Sequence, residues 1–187
     1  VDAMALPFHS ITETSNRGFI DLYGGLEDTS DKVVRAVSDE SFIDDPVRLI
    51  KAIRLVAQLG FSLDEHTKYS ISKNADLINS VSIERVREEF LKIFEQNNTS
   101  NNLKLMDDLG LLCKIIPELE VTRGSIQPKE HYWDVFNHLI ESVTKIEEIF
   151  EHCLPPKNQE RNEANPLLSY IPVYEDMYNH FNIIIGN

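Results

Sequence analysis

A proline at position 46 and a glycine at position 60 bracket the stretch that most constrains this chain. Proline suits the first turn of a helix, where its missing N–H costs nothing, and glycine readily takes the left-handed conformation that ends one. Between them Leu49, Ile50, Ile53, Val56 and Ala57 recur at three- and four-residue intervals and form one apolar face. Arg48, Lys51, Arg54 and Gln58 fall on another. The spacing predicts a helix over 46–59, with Asp45 as its N-cap, one side packed and the other polar and mostly basic.

Similar signals run through the rest of the chain. Asp64 is placed to cap a helix ending near Ser72, and Ser82 precedes one carrying Val86, Phe90, Ile93 and Phe94 on its apolar face. A further helix is expected from Leu103 to Leu109, stopped by Gly110, and Pro117 closes the apolar piece that follows. Beyond a loop at 124–128, residues 133–152 place Val135, Phe136, Leu139, Val143, Ile146, Ile149 and Phe150 on one broad apolar face. Residues 1–38 read differently: turn signals around Pro7, a polar run over 12–18 and Phe19-Ile20-Asp21-Leu22 before Gly24-Gly25 predict a short hairpin and then a flexible joint. Residues 155–166, rich in Asn, Glu and Pro, are expected to be a mobile linker, and 167–187 show no clear period. The fold class expected is mainly α, a short β-hairpin followed by a multi-helix body.

Composition bounds the function classes. No apolar run approaches the roughly 20 residues that span a bilayer, and the start Val1-Asp2-Ala3-Met4 lacks the basic flank of a signal peptide, so a cytoplasmic location is expected. That start also has no initiator methionine and reads as mid-strand, as though cut from something longer. Cys113 and Cys153 have no companions at metal-ligand spacing and are read as free thiols. A net charge of −13 excludes indiscriminate phosphate binding, so any RNA contact must be local.

Asp44-Asp45-Pro46-Val47-Arg48 concentrates chemistry, because it sets two carboxylates and a guanidinium around a helix start. A carboxylate can accept from the exocyclic amino group of cytosine or adenine, and arginine can donate to a ring nitrogen or carbonyl. The same spacing also serves a plain helix cap with an Asp–Arg pair.

The surrounding residues carry a family resemblance. Phe42-Ile43-Asp44-Asp45-Pro46-Val47-Arg48, continuing through Lys51 and Arg54 to Leu59-Gly60-Phe61, resembles the nucleotide-recognition motif of bacterial tRNA nucleotidyltransferases, Glu-Asp-Pro-x-Arg followed by a basic helix ending Leu-Gly-Phe. Val1-Asp2-Ala3-Met4-Ala5-Leu6 is similar to the end of a strand in that family's catalytic head, and Asp21-Leu22-Tyr23-Gly24-Gly25 to its Asp-Pro-Phe-Gly-Gly joint. Val33-Val34-Arg35 matches the Ile-Arg that follows, and Ser82-Ile83-Glu84-Arg85-Val86-Arg87-Glu88-Glu89 resembles the Ser-x-Glu-Arg-Ile-x-x-Glu helix of the neck. These matches cover residues 1 to about 95 in the family's order.

The resemblance implies a parent enzyme of the CCA-adding and poly(A) polymerase family, using CTP and ATP with Mg2+ to extend the 3′ end of tRNA or another RNA. It divides the chain into a head remnant and hinge over 1–38, a helical neck over 39–123 and the start of a helical body over 124–187. Asp45 and Arg48 would contact the incoming base, Arg54 would line the basic face, and Lys51, Arg85 and Arg87 would approach RNA. Arg85 and Arg87 could equally pair with Glu84, Glu88 or Glu89 on the surface. Asp44 stands where the family has Glu, one methylene longer, which leaves it a capping or arginine-orienting role. Gly24 and Gly25 would form the hinge, or simply a tight turn.

His131 and His138 lie seven apart in a segment similar to the first-histidine stretch of the HD hydrolase domain that follows the neck in some of these enzymes. His138 would bind metal only with a downstream HD domain, and no His-Asp dipeptide occurs in the chain. The family's metal-binding Asp-x-Asp would precede Val1, so the chain alone is expected to lack transferase activity. Poly(A) polymerase chemistry and a non-catalytic helical interaction module are the alternatives.

Overall fold

The computed structural model describes residues 4–5, 20–125 and 134–153. Its elements follow the chain as β1 (Met4–Ala5), β2 (Ile20–Asp21), α1 (Gly25–Asp31), β3 (Val33–Val34), α2 (Ser41–Asp44), α3 (Arg48–Leu59), β4 (Ser62–Leu63), α4 (Glu65–Asn74), α5 (Ile83–Phe94), α6 (Thr99–Asp108), α7 (Leu112–Ile115) and α8 (Val135–Cys153). Short 3-10 turns over Ala75–Ser80 and Pro117–Thr122 link α4 to α5 and follow α7. The fold is mainly helical. β1 pairs antiparallel with β2, and β3 pairs in parallel with β4 through Val33 opposite Ser62 and Val34 opposite Leu63.

The core forms around α3. Leu49, Ile50 and Ile53 are fully buried, and they meet Ile71, Val86, Ile93, Leu103, Met106, Leu111 and Leu112 from the helices that follow. α3 packs most extensively on α5 and then on α6, and α6 in turn carries α8. Gly60 ends α3 with φ +65°, and its N–H bonds the carbonyl of Val56 at 3.0 Å, as the sequence leads one to expect. Asp64 caps α4 through the N–H of Thr67 at 3.1 Å.

Four expectations are corrected. α3 starts at Arg48, not 46, and the Asp45 side chain does not cap it: the residue before a proline is pushed out of the helical region, and Asp45 has φ −146° and ψ 93°. Only the Asp45 carbonyl serves the helix, accepting the Arg48 N–H at 3.0 Å. Residues 25–31, expected within a joint, form α1. The helix expected from Leu103 begins at Thr99, because Glu147 of α8 accepts the N–H groups of Thr99 and Ser100 and so caps it from across the fold. Along α8 the buried positions are Phe136 and Ile140, with Val143 packed beside them, whereas Leu139 and Ile146 are exposed. His131, the linker over 155–166 and residues 167–187 lie outside the described residues.

α3 and α5 are joined by an ion pair as well as by apolar contact. Nε of Arg54 donates to Glu89 at 2.6 Å, with both side chains about five-sixths buried (15% and 16% exposed), and Nη1 of Arg54 donates to Gln58 at 2.6 Å. Burial works to raise the Glu89 carboxyl, but the hydrogen bond from Lys92 and the Arg54 guanidinium outweigh it and hold the group below its ordinary value.

Two outcomes follow for stability. Ile53→Ala leaves a cavity at the centre of the α3–α5–α6 contact and should cost about 2–5 kcal/mol in denaturant unfolding, with the slope against denaturant unchanged. Glu89→Gln should cost about 1–3 kcal/mol at pH 7 by leaving Arg54 with a weaker acceptor. Because the folded carboxyl is depressed, its contribution is fully present above the unfolded value of about 4.3 and is lost as pH falls through the lower folded value. Melting curves of wild type and Glu89→Gln should therefore converge below about pH 4; a gap that stays constant down to pH 3 would show the pair to be electrostatically idle.

Candidate functional site

Pro46 separates α2 from α3, and the extended Asp45 between them carries its carboxylate out of both helices. That carboxylate reaches α5: Nη2 of Arg85 donates to both Asp45 oxygens at 3.0 Å. The pair is half exposed. Two of the carboxylate's four lone-pair directions are thus used, and the rest remain available to another donor. Arg48, one turn into α3, is exposed and donates through Nη1 to the Ser41 carbonyl at 3.1 Å, without a carboxylate partner among the described residues.

These groups line a cleft of about 600 Å³ bounded by α2, α3, α5, the N-terminal end of α4 and the segment after β3. Its walls include Asp45, Arg48, Lys51 and Arg85, together with Glu88, Glu89, Arg35 and Tyr23. Small-molecule sites span roughly 300–1,000 Å³, so the cleft can hold a nucleoside. Arg35 ties its rim together: Nε donates to Asp28 at 3.0 Å and Nη1 to Asp64 at 2.6 Å. Burial works against ionisation of Asp64, yet the Thr67 N–H and the Arg35 charge hold its carboxyl below the ordinary value.

Of the residues singled out from sequence, Asp45, Arg48, Lys51 and Arg85 are brought to one cleft. Asp44, at the end of α2, and Arg87, on α5, are exposed and do not line it. Arg54 is engaged with Glu89 beneath the surface and is not part of an open basic stripe. Arg85 pairs with Asp45 and not with the acidic residues of its own helix, which the sequence offered as partners on an equal footing with RNA. Arg35 and Tyr23 were given no site role by sequence, and Glu88 only that of a surface partner for Arg85 or Arg87, although the aromatic ring immediately before Gly24-Gly25 was a usable signal.

The hinge glycines sit in a capped turn. Gly24 has φ +73°, a conformation few side chains tolerate. The Asp21 carboxylate accepts the N–H groups of Gly25 at 2.8 Å and Leu26 at 2.9 Å, and these bonds, Leu26 first, hold it below the ordinary carboxylate range. His138 is exposed on α8. Among the described residues no three His, Cys, Asp or Glu side chains converge as a metal site, and no helix is long and apolar enough to cross a membrane. Cys113 is a free, half-buried thiol, pushed up by burial.

Known proteins align with this architecture. A family model described as the probable RNA- and SrmB-binding site of polymerase A matches residues 60–122. A CCA-adding enzyme of a Geobacillus species is 38% identical over 115 residues, which is 60% of this chain and 28% of that enzyme. An A-adding tRNA nucleotidyltransferase of Deinococcus radiodurans is 29% identical over 143 residues, 74% of this chain and 33% of that enzyme. A solved tRNA-processing enzyme complex shares the fold with a TM-score of 0.63 at 22% identity, over 95% of this chain and 46% of that one. The chain spans about a quarter of the length of the curated relatives it matches. Over this helical region the chain is similar to bacterial tRNA nucleotidyltransferases, and residues 60–122 match the RNA-binding part of the poly(A) polymerase family.

Proposed function

We propose that this chain is the base-selecting neck and adjoining helical body of an enzyme that adds CCA, or part of it, to tRNA 3′ ends. The observation that carries this reading is the convergence of Asp45, Arg48, Lys51 and Arg85 on one nucleoside-sized cleft, in a chain whose relatives include CCA-adding and A-adding enzymes. The cleft acts on the base and not on the bond that is made. Asp45, oriented by Arg85, accepts from the exocyclic amino group that cytosine and adenine share in kind. Arg48 needs only to leave the Ser41 carbonyl to donate to the adjacent ring nitrogen or carbonyl. Uracil and guanine present a carbonyl where the amino group would be, which sets oxygen against carboxylate and rejects them.

Lys51 lacks an ion-pair partner among the described residues and extends the cleft's cationic side toward RNA. Gly24 remains the place for a pivot between this region and a catalytic head, since its left-handed backbone allows what a Cβ would resist. Asp44 and Arg87 are peripheral to the cleft and Arg54 acts through Glu89, so these three support the site rather than touch the base. Mg2+ would supply charge neutralisation at the triphosphate, but the described carboxylates do not assemble a site that fits it. A cytoplasmic location accords with tRNA as the substrate.

A second reading, addition of A alone, is favoured by the length of the match to the Deinococcus radiodurans A-adding enzyme. Titration calorimetry with the four nucleoside triphosphates separates the two. Binding of CTP and ATP, with GTP and UTP at least tenfold weaker, is expected for CCA addition, and binding of ATP alone for A addition. Asp45→Asn should remove the preference by on the order of tenfold, about 1.4 kcal/mol. Equal binding of all four nucleotides would exclude base selection by this cleft.

A further inference from the structure

Holding a nucleobase takes hydrogen bonds along its edge and contact over its flat faces, and Asp45, Arg48 and Arg85 can supply only the first. Two aromatic residues line the cleft. Phe42 is 3% exposed and belongs to the core, whereas Tyr23 is 55% exposed. Tyr23 is therefore the aromatic ring in the cleft wall with face to offer.

The backbone beneath that ring is held firmly. Asp21 accepts the N–H of Tyr23 at 3.4 Å together with those of Gly25 and Leu26, and Gly24 turns the chain directly after the tyrosine. Tyr23 also borders a smaller hollow of about 190 Å³ whose lining includes Val33, Leu55, Leu59 and Phe61. A ring with a fixed root, apolar neighbours on one side and a polar cleft on the other is suited to stacking, because little freedom is lost when a base settles on it.

We propose that Tyr23 is the stacking face of the base site, lying against the cytosine or adenine whose edge Asp45 and Arg48 read. The inference rests on the base-selecting role of the cleft and divides the labour within it. Every base has a π-face, so Tyr23 contributes affinity without choosing among bases, while Asp45 contributes the choice. The stacking residue also stands on the turn at Gly24, so that movement of this turn shifts the face relative to the edge-reading groups on α3.

The test compares CTP, ATP and ribose 5-triphosphate binding to the full chain and to Tyr23→Leu, Tyr23→Phe and Asp45→Asn, with proton NMR of the ligands. Tyr23→Leu is expected to weaken CTP and ATP on the order of tenfold, to leave ribose 5-triphosphate unchanged, and to abolish the upfield ring-current shifts of the base protons. Tyr23→Phe should keep both affinity and shifts, and Asp45→Asn should keep the shifts while losing selectivity. If Tyr23→Leu binds CTP and ATP as the wild type does, with base-proton shifts intact, the stacking role is overturned, and the edge-reading role stands provided Asp45→Asn loses selectivity. If the wild type binds CTP and ATP no better than ribose 5-triphosphate, both roles fall. Loss of ribose 5-triphosphate binding in both Tyr23→Leu and Tyr23→Phe would mark a structural role for the residue and likewise overturn the proposal.

Discussion

Pro46 is the constraint on which the site depends. Its ring drives Asp45 out of the helical region, so that what would otherwise be one helix from 41 to 59 becomes α2 and α3 with an extended residue between them. In an unbroken helix Asp45 would be a surface carboxylate among others. At the break its side chain projects across to α5, where Arg85 takes both oxygens. The backbone carbonyl is left to start α3, and the two halves of one residue serve two purposes: main chain for the fold, side chain for the cleft.

The position of Arg85 in turn depends on how α5 lies on α3. Ile53, Val86 and Ile93 set that contact through buried apolar surface, and Arg54 with Glu89 fixes it with a directional bond in a place where misalignment would leave a half-buried charge without its partner. Sliding α5 by one turn would move Arg85 about 5 Å from Asp45. The core therefore acts on the site through geometry, and the two arginines have different tasks: Arg54 locates the helix, and Arg85 uses that location.

Much of this was legible in the sequence because the signals were local. Pro46, Gly60, Asp64 and the apolar spacing of 49, 50 and 53 each act within a turn or two of where they stand, and α3 and α4 formed close to where these residues placed them. The same locality made Asp45 misleading, since an aspartate ahead of a helix reads as a cap until the effect of the following proline is given its full weight. What sequence did not show were contacts between distant segments. The N-terminus of α6 is capped by Glu147, 48 residues beyond Thr99, whereas the several cap-type residues over 97–102 do not by themselves say which of them starts the helix. Arg85 finds Asp45 at a separation of 40 residues in preference to the acidic neighbours on its own helix. Arg54 looked like surface because its period is that of the polar face, yet α5 covers it.

The charge of the cleft bears on what part of a nucleotide it can hold. The chain carries a net charge of −13, and most described cations are spent on carboxylates: Arg35 on Asp28 and Asp64, Arg54 and Lys92 on Glu89, Arg123 on Asp107. Within the cleft wall Arg35, Arg48, Lys51 and Arg85 stand against Asp45, Glu88 and Glu89, close to neutrality. A triphosphate brings several negative charges and needs a clear excess of donors and cations to offset its lost hydration. A nucleobase is neutral and needs a few oriented acceptors and donors with an apolar face. The balance of this cleft suits a neutral base better than a triphosphate, and Arg48 and Lys51 are the two wall cations free of carboxylates among the described residues.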